Sequence, residues 1–145
     1  MSGFLLDTNV LSEFNRRGGP DQRVKRWLEA ADTDSLYVSV LTLGEIRLGV
    51  ELLPSSNRRT QLEQWLDRDL PEWFESRILP IDQSIADRWG SLRAQAQLRG
   101  RPLSVIDALL AATALQHDLT LVSRNVSDFS VVGLAIINPW EAPTP

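Results

Sequence analysis

The stretch Phe4-Leu5-Leu6-Asp7-Thr8-Asn9-Val10-Leu11-Ser12 decides how the rest of this chain is read. Three consecutive apolar residues fit a strand buried on both faces, the kind found where helices cover both sides of a parallel sheet. Asp7 stands where that strand gives way to a helix expected over residues 10–15. Further along, short apolar runs keep alternating with longer periodic ones. After the Gly18-Gly19-Pro20 break a helix is expected over 21–31, then a β-branched strand over 36–40. Thr42-x-x-Glu45 opens a helix to residue 53, Pro54 ends it, and a second amphipathic helix follows through Leu62, Trp65, Leu66 and Leu70. These two form a helical hairpin. A third strand is expected over 77–81, and Asp82 caps a helix reaching Leu98 before Gly100. Ser104 caps an apolar helix to His117, a fourth strand covers 119–123, residues 126–129 form a loop or short turn, and 134–137 supply a fifth strand. The expected fold is α/β: a three-layer α/β/α sandwich with a mostly parallel sheet of four or five strands. Without repeats or linkers, residues 1–145 read as a single domain.

Composition narrows the chemistry. The 145 residues carry 15 Lys+Arg against 19 Asp+Glu, a formal charge of −4, with 43% hydrophobic and 23% charged residues. That is the profile of one soluble globular domain. The chain has no Cys, which excludes disulfides, thiolate zinc sites and thiol nucleophiles. His117 is the single histidine, so two-histidine ribonuclease chemistry and two-histidine zinc helices are excluded too. Residues 1–7 show no basic leader, and the most apolar stretch, 102–117, is interrupted by Ser104, Asp107 and Thr113. A soluble, cytoplasmic protein with no membrane span is expected. An acidic balance argues against nonspecific nucleic-acid binding, yet carboxylates gathered at a metal site produce the same sum.

Four acids carry the argument, and each also has an ordinary structural explanation. Asp7 could be a helix N-cap, Glu45 and Asp107 the acids of capping boxes begun by Thr42 and Ser104, and Asp128 a turn residue. The helix bearing Glu45 is apolar on two sides, through Leu41, Leu48 and Leu52 and through Leu43, Ile46, Val50 and Leu53, and is therefore expected to be largely buried. Asp107 is the only charge between Arg101 and Asp118. A buried carboxylate is costly unless paired, hydrogen-bonded or metal-bound. All four acids fall just after a strand or in the first turn following one, so they converge on the carboxyl edge of the sheet, where such folds bind ligands. Crowded carboxylates raise one another's pKa unless a cation offsets them. Oxygen donors alone select a hard ion, Mg²⁺ or Mn²⁺, and such ions assist phosphodiester hydrolysis.

Four blocks of sequence give these acids a family context. They are Leu6-Asp7-Thr8-Asn9-Val10-Leu11-Ser12-Glu13, Val38-Ser39-Val40-Leu41-Thr42-Leu43-Gly44-Glu45-Ile46, Asp107-Ala108-Leu109-Leu110-Ala111-Ala112-Thr113-Ala114 and Ser123-Arg124-Asn125-Val126-Ser127-Asp128-Phe129. In this order the chain resembles the PIN-domain ribonucleases, specifically the VapC-type toxins of bacterial toxin–antitoxin pairs. The resemblance implies that Asp7, Glu45, Asp107 and Asp128 form an acidic metal-binding and catalytic quartet, supported by hydrogen bonds from Thr8, Asn9, Ser123 and Asn125. Ser123 stands where the family more often has Thr, and the hydroxyl is kept. The resemblance further implies an RNA substrate, a homodimer, and a VapB-type antitoxin as partner.

Arg124 is the first choice for a contact to the scissile phosphate, while Arg16, Arg17, Arg99 and Arg101 are candidates for guiding RNA or for ordinary solvated charge. The five tryptophans, Trp27, Trp65, Trp73, Trp89 and Trp140, sit mostly at helical spacing among apolar neighbours and read as packing rather than base stacking. The hairpin over 42–70 offers a groove to an antitoxin helix or packs on the domain's own core. A receiver domain would need a lysine near its last strand, and Lys25 is the only lysine; a haloacid-dehalogenase phosphatase would need Asp-x-Asp where Asp7-Thr8-Asn9 stands. The remaining alternative is a catalytically inactive PIN-like module that binds RNA or antitoxin.

Overall fold

The computed structural model describes residues 3–141 of the chain. β1 (Gly3–Leu6) sends alternate side chains into two apolar layers: Leu6 packs with Val10, Val24 and Val38, and Leu5 with Ile85, Leu110 and Leu121. Both faces of the strand are thus apolar, as the opening run required. α1 (Thr8–Ser12) follows at once and continues as a 3-10 turn over Glu13–Asn15; it begins earlier than expected because Asp7 caps it. α2 (Gln22–Ala30) is capped by Asp21, and β2 (Leu36–Ser39) leads into α3 (Val40–Glu51). α4 (Asn57–Gln64) passes through a π-helical turn over Trp65–Asp69 into α5 (Leu70–Phe74), completing the hairpin. β3 (Ile78–Leu79), α6 (Gln83–Leu98) and α7 (Val105–Gln116) come next. β4 (Leu119–Val122), the single-turn α8 (Val126–Phe129) and β5 (Ile136–Ile137) end the sandwich.

The sheet order is β3-β2-β1-β4-β5, and every pair is parallel. β1 is central: Phe4 lies opposite Leu36 of β2 and opposite Thr120 of β4. Helices α2, α3 and α5 contribute to the core on one face, α6 and α7 to the core on the other. Gly3 fits this centre because a Cβ there would meet Ser35 O at 2.9 Å. The expected three-layer α/β/α sandwich is present, with five parallel strands.

Several local expectations are corrected. Thr42 does not open α3; Ser39 does, its hydroxyl accepting from Leu41 N at 3.1 Å, while Thr42 is fully buried within the helix. The serine at the strand end is reached first as the chain turns, so the helix starts earlier. Nor is α3 largely buried: Ile46 and Val50 face the core, but Leu48 and Leu52 are 62% and 77% exposed. A two-sided apolar pattern marks burial only where a second layer covers the outer face, and the described residues supply none. The third strand is only two residues long, because Arg77 still belongs to the 3-10 turn Glu75–Arg77 and Pro80 has no N–H for the ladder; the Arg77 guanidinium donates to the carbonyls of Thr33, Leu36 and Trp73. Trp140 is 4% exposed in the core, and Trp27 packs edge-on against Phe4. Trp73 packs edge-on against Phe74 and Phe14 while remaining 42% exposed.

Candidate active site

The ends of β1 and β4 and the starts of α3 and α7 assemble the site; Asp107, expected just after a strand, instead follows α6 and the loop before α7. Asp7 is the first residue past β1; its N–H donates to Val122 O at 2.9 Å, which prolongs the sheet by one rung and holds the residue at the carboxyl edge. The side chain is 6% exposed, with Oδ1 accepting from Thr8 N at 2.7 Å and Oδ2 from Ser123 Oγ at 2.6 Å. Asp7 is therefore the cap of α1 and a fixed carboxylate at the same time. Ser123 is fully buried just past β4, held by its N–H donating to Ile137 O at 3.0 Å, and its hydroxyl also accepts from Asn125 N at 3.1 Å.

Glu45 lies in the second turn of α3, and its Oε1 accepts from Thr8 Oγ1 at 2.6 Å. Thr8 thus ties the first acid's helix to the second acid. Asp107 occupies the first turn of α7, where its backbone N–H donates to the Ser104 hydroxyl at 3.1 Å, so the Ser104 cap expected from the sequence is present. Burial pushes the Asp107 carboxyl above its ordinary pKa; Ser104 opposes the shift, and the charges of Asp7, Asp128 and Glu45 add to it. Asp7, Glu45 and Asp128 thus lie near enough to Asp107 for their charges to disfavour its ionised form. Asp128 sits in α8 and is exposed.

A cleft of about 460 Å³ lies among these groups, lined by Asp7, Thr8, Asn9, Glu45, Asp107, Asn125 and Arg124, with Ile106, Leu110 and Trp140 as apolar walls. Asp128 is not among the lining residues and reaches the site through its field. Asn9 Oδ1 is buried with no hydrogen-bond partner. The sequence reading missed Trp140 as a cleft residue; its place just beyond the fifth strand, at the same sheet edge, was the available signal. Two of the distant arginines have partners outside the cleft: Arg16 pairs with Glu13, and Arg101 donates to Ser127 O and Ser130 Oγ.

The donor set suits a hard divalent cation: carboxylates, an orphaned amide oxygen and hydroxyls, with one basic side chain on the cleft wall. As the side chains stand, no group of three His, Cys, Asp or Glu among the described residues is tight enough to hold an ion. The fit is one of charge and donor type, and binding would require the carboxylates to draw together.

Comparison with known proteins agrees with this arrangement. A family model described as the PIN domain matches residues 4–133. Toxin FitB of Neisseria gonorrhoeae is 38% identical over 136 residues, covering 94% of this chain and 97% of that protein. The crystal structure of FitAcB from the same organism superposes with a TM-score of 0.90 at 37% identity, covering 96% of this chain and 99% of the other. VapC ribonuclease Y4jK of Sinorhizobium fredii is 36% identical over 137 residues, 94% of this chain and 97% of that protein. A toxin–antitoxin complex from Klebsiella pneumoniae matches with a TM-score of 0.72 at 29% identity, covering 97% and 100% of the two chains. With a family model spanning most of its length and relatives of this identity along nearly all of it, the chain belongs to the PIN-domain family.

Proposed function

We propose that this chain is a metal-dependent endoribonuclease, the toxin of a toxin–antitoxin pair, hydrolysing RNA phosphodiester bonds at the Asp7, Glu45, Asp107 and Asp128 site. The single observation that carries the reading is the cleft at the sheet edge into which Asp7, held by Ser123 and the Thr8 N–H, Glu45 and Asp107 all project as lining residues. The names of the relatives point the same way, one a toxin and one a ribonuclease. Asp7, Asp107 and Asp128 would hold Mg²⁺ or Mn²⁺, with Glu45 holding the ion or a water bound to it. When bound, such an ion lowers the pKa of a coordinated water and offsets charge on the phosphate.

The chain's own residues prepare this chemistry. Ser123 and the Thr8 N–H hold Asp7 from two sides, leaving its carboxylate no freedom to swing away. Thr8 Oγ1 donates to one carboxylate oxygen of Glu45, which lines the cleft. Asn9 and Asn125 line the wall as neutral polar groups. The overall step is hydrolysis: water oxygen bonds to phosphorus, the bond to the leaving oxygen breaks, and that oxygen takes up a proton.

A second groove of about 420 Å³, lined by Ile46, Val50, Leu53, Leu62 and Trp65, runs along the α3–α4 hairpin and shares Thr8 and Glu45 with the acidic cleft. It is the surface proposed for an apolar helix of a VapB-type antitoxin, in line with the toxin–antitoxin complex to which the fold is similar. Homodimerisation would cover the exposed Leu48 and Leu52 of α3. Among the described residues no helix is long and apolar enough to cross a membrane, and a cytoplasmic location is part of the proposal.

The deciding experiment is cleavage of a labelled RNA pool by antitoxin-free protein with Mg²⁺ or Mn²⁺, against EDTA and against Asp7→Asn. Cuts that depend on the metal and vanish in Asp7→Asn, with its melting temperature near that of the parent, are the expected result. Near-parental cleavage by folded Asp7→Asn overturns the site assignment, and no cleavage by metal-loaded parent leaves the inactive binding module as the reading.

A further inference from the structure

We propose that Arg124 and Trp140 form a phosphate subsite on the cleft wall, in which the Trp140 ring is a positioning residue that holds the Arg124 guanidinium for a backbone phosphate of single-stranded RNA. The proposal rests on the ribonuclease reading and deepens it. Arg124 is the one basic residue among those lining the acidic cleft. A guanidinium free to swing beside Asp7, Glu45 and Asp107 would be drawn toward them by Coulomb attraction. Yet none of the ion pairs among the described residues includes Arg124. Its guanidinium carbon instead lies 5.1 Å from the centre of the Trp140 ring.

The ring is anchored, and the fold explains how. β4 and β5 pair in parallel with Val122 opposite Ile137, so the residues just past each strand emerge side by side at the carboxyl edge. Arg124 comes off β4; Trp140 comes off β5 in the 3-10 turn Pro139–Glu141, its backbone N–H donating to Asn138 Oδ1 at 3.0 Å. Trp140 is 4% exposed and packs with Leu6, Val24 and Val122 in the core, so its outer face is a rigid platform. Tryptophan is the best aromatic partner for a cation, and stacking uses the face of the guanidinium while leaving its edge donors unspent. Those donors match the two oxygens of a phosphodiester. The arrangement separates the two charges of the site: the carboxylates keep their negative field for a cation, and the arginine held over the ring supplies the positive charge that a polyanion needs beside them. A chain whose scissile phosphate enters the carboxylate cluster would bring a neighbouring phosphate to this wall.

The test measures binding of a short 5′-fluorescein-labelled single-stranded RNA by anisotropy as a function of salt, in an Asp7→Asn background so that cleavage does not intervene. Arg124→Ala is expected to lower the slope of log K against log salt by about 0.7, one phosphate contact's worth on a single strand. Trp140→Leu, which keeps the charge but removes the platform, should weaken binding about two- to fivefold with the slope retained. In the double variant the Trp140→Leu effect should vanish, because the ring acts only through Arg124. Trp140→Phe keeps a ring and the apolar fill, and should bind RNA within about twofold of the background protein; it and Arg124→Ala carry the test if Trp140→Leu does not fold.

An unchanged slope in Arg124→Ala overturns the subsite, as does a Trp140→Leu loss that is equal with and without Arg124. If Arg124→Ala weakens binding of polyglutamate but leaves RNA binding intact, the group serves carboxylates of a protein partner and the proposal falls. Cleavage by the parent alongside an unchanged Arg124→Ala slope removes the subsite alone, whereas a parent that neither cleaves nor binds RNA removes both readings.

Discussion

Ser123→Ala tests whether the Asp7 carboxylate is held by the hydroxyl 116 residues away. The Ser123 side chain is fully buried, donates to Asp7 Oδ2 at 2.6 Å, and accepts from Asn125 N at 3.1 Å. Asn125 is exposed, so water replaces that second bond and its loss is small. The first bond is charge-assisted and buried, which puts its removal at about 2 kcal/mol. For a domain of this size that lowers the melting temperature by roughly 4–8 °C. Asp7 retains only the Thr8 N–H, and its carboxylate gains rotational freedom. By analogy with groups that orient metal ligands, cleavage should fall about 10–100-fold.

The assay is thermal unfolding in EDTA at neutral pH, run as a cycle with Asp7→Asn. Without the charge the Ser123 hydroxyl makes an ordinary bond, so its deletion should cost about 1 kcal/mol less in the Asp7→Asn background. Equal losses in both backgrounds, or a melting temperature for Ser123→Ala indistinguishable from the parent, refute the claim that this bond fixes the carboxylate.

Two further variants probe the same architecture. Because the folded protein raises the Asp107 pKa, its charged form opposes folding above that pKa and the penalty disappears as pH falls below the unfolded value. Metal-free Asp107→Asn should therefore melt higher than the parent at neutral pH, the gap closing on acidification; added Mg²⁺ should reverse the order by stabilising the parent, and a gap independent of pH contradicts the electrostatic cause. Asp118 follows α7 with φ of 54°, in the left-handed region, so Asp118→Gly should gain about 0.5–1 kcal/mol and raise the melting temperature by about 1–4 °C, with cleavage unchanged.

Much of the site was legible because its signals are local. An apolar run followed by an acid and a helix start places Asp7 at a strand end whatever the strand's neighbours are, but the same logic does not hold for Asp107, which follows α6 and a loop rather than a strand, and Asp128 lies past β4 without lining the cleft. Local signals failed where two of them competed. Ser39 took the cap that the Thr42-x-x-Glu45 spacing suggested, and Glu45 found its hydroxyl partner in Thr8 of another helix. The apolar pattern of α3 misled for a different reason: hydrophobicity reports a preference for cover, and Leu48 and Leu52 stand exposed on the described chain.

By itself, then, the sequence determined the alternation of buried strands and helices, the parallel sandwich and the absence of thiol and two-histidine chemistry. These follow from side-chain periodicity, turn residues and the absence of cysteine, all properties of neighbours along the chain. The tertiary structure alone decided the order β3-β2-β1-β4-β5, which sets β1 between β2 and β4 and so brings Ser123 to Asp7. It also decided that β5 pairs with β4 in the register that puts Trp140 beneath Arg124. Strand order and register are settled by which faces pack together once distant segments meet, and no short window of residues carries that energy.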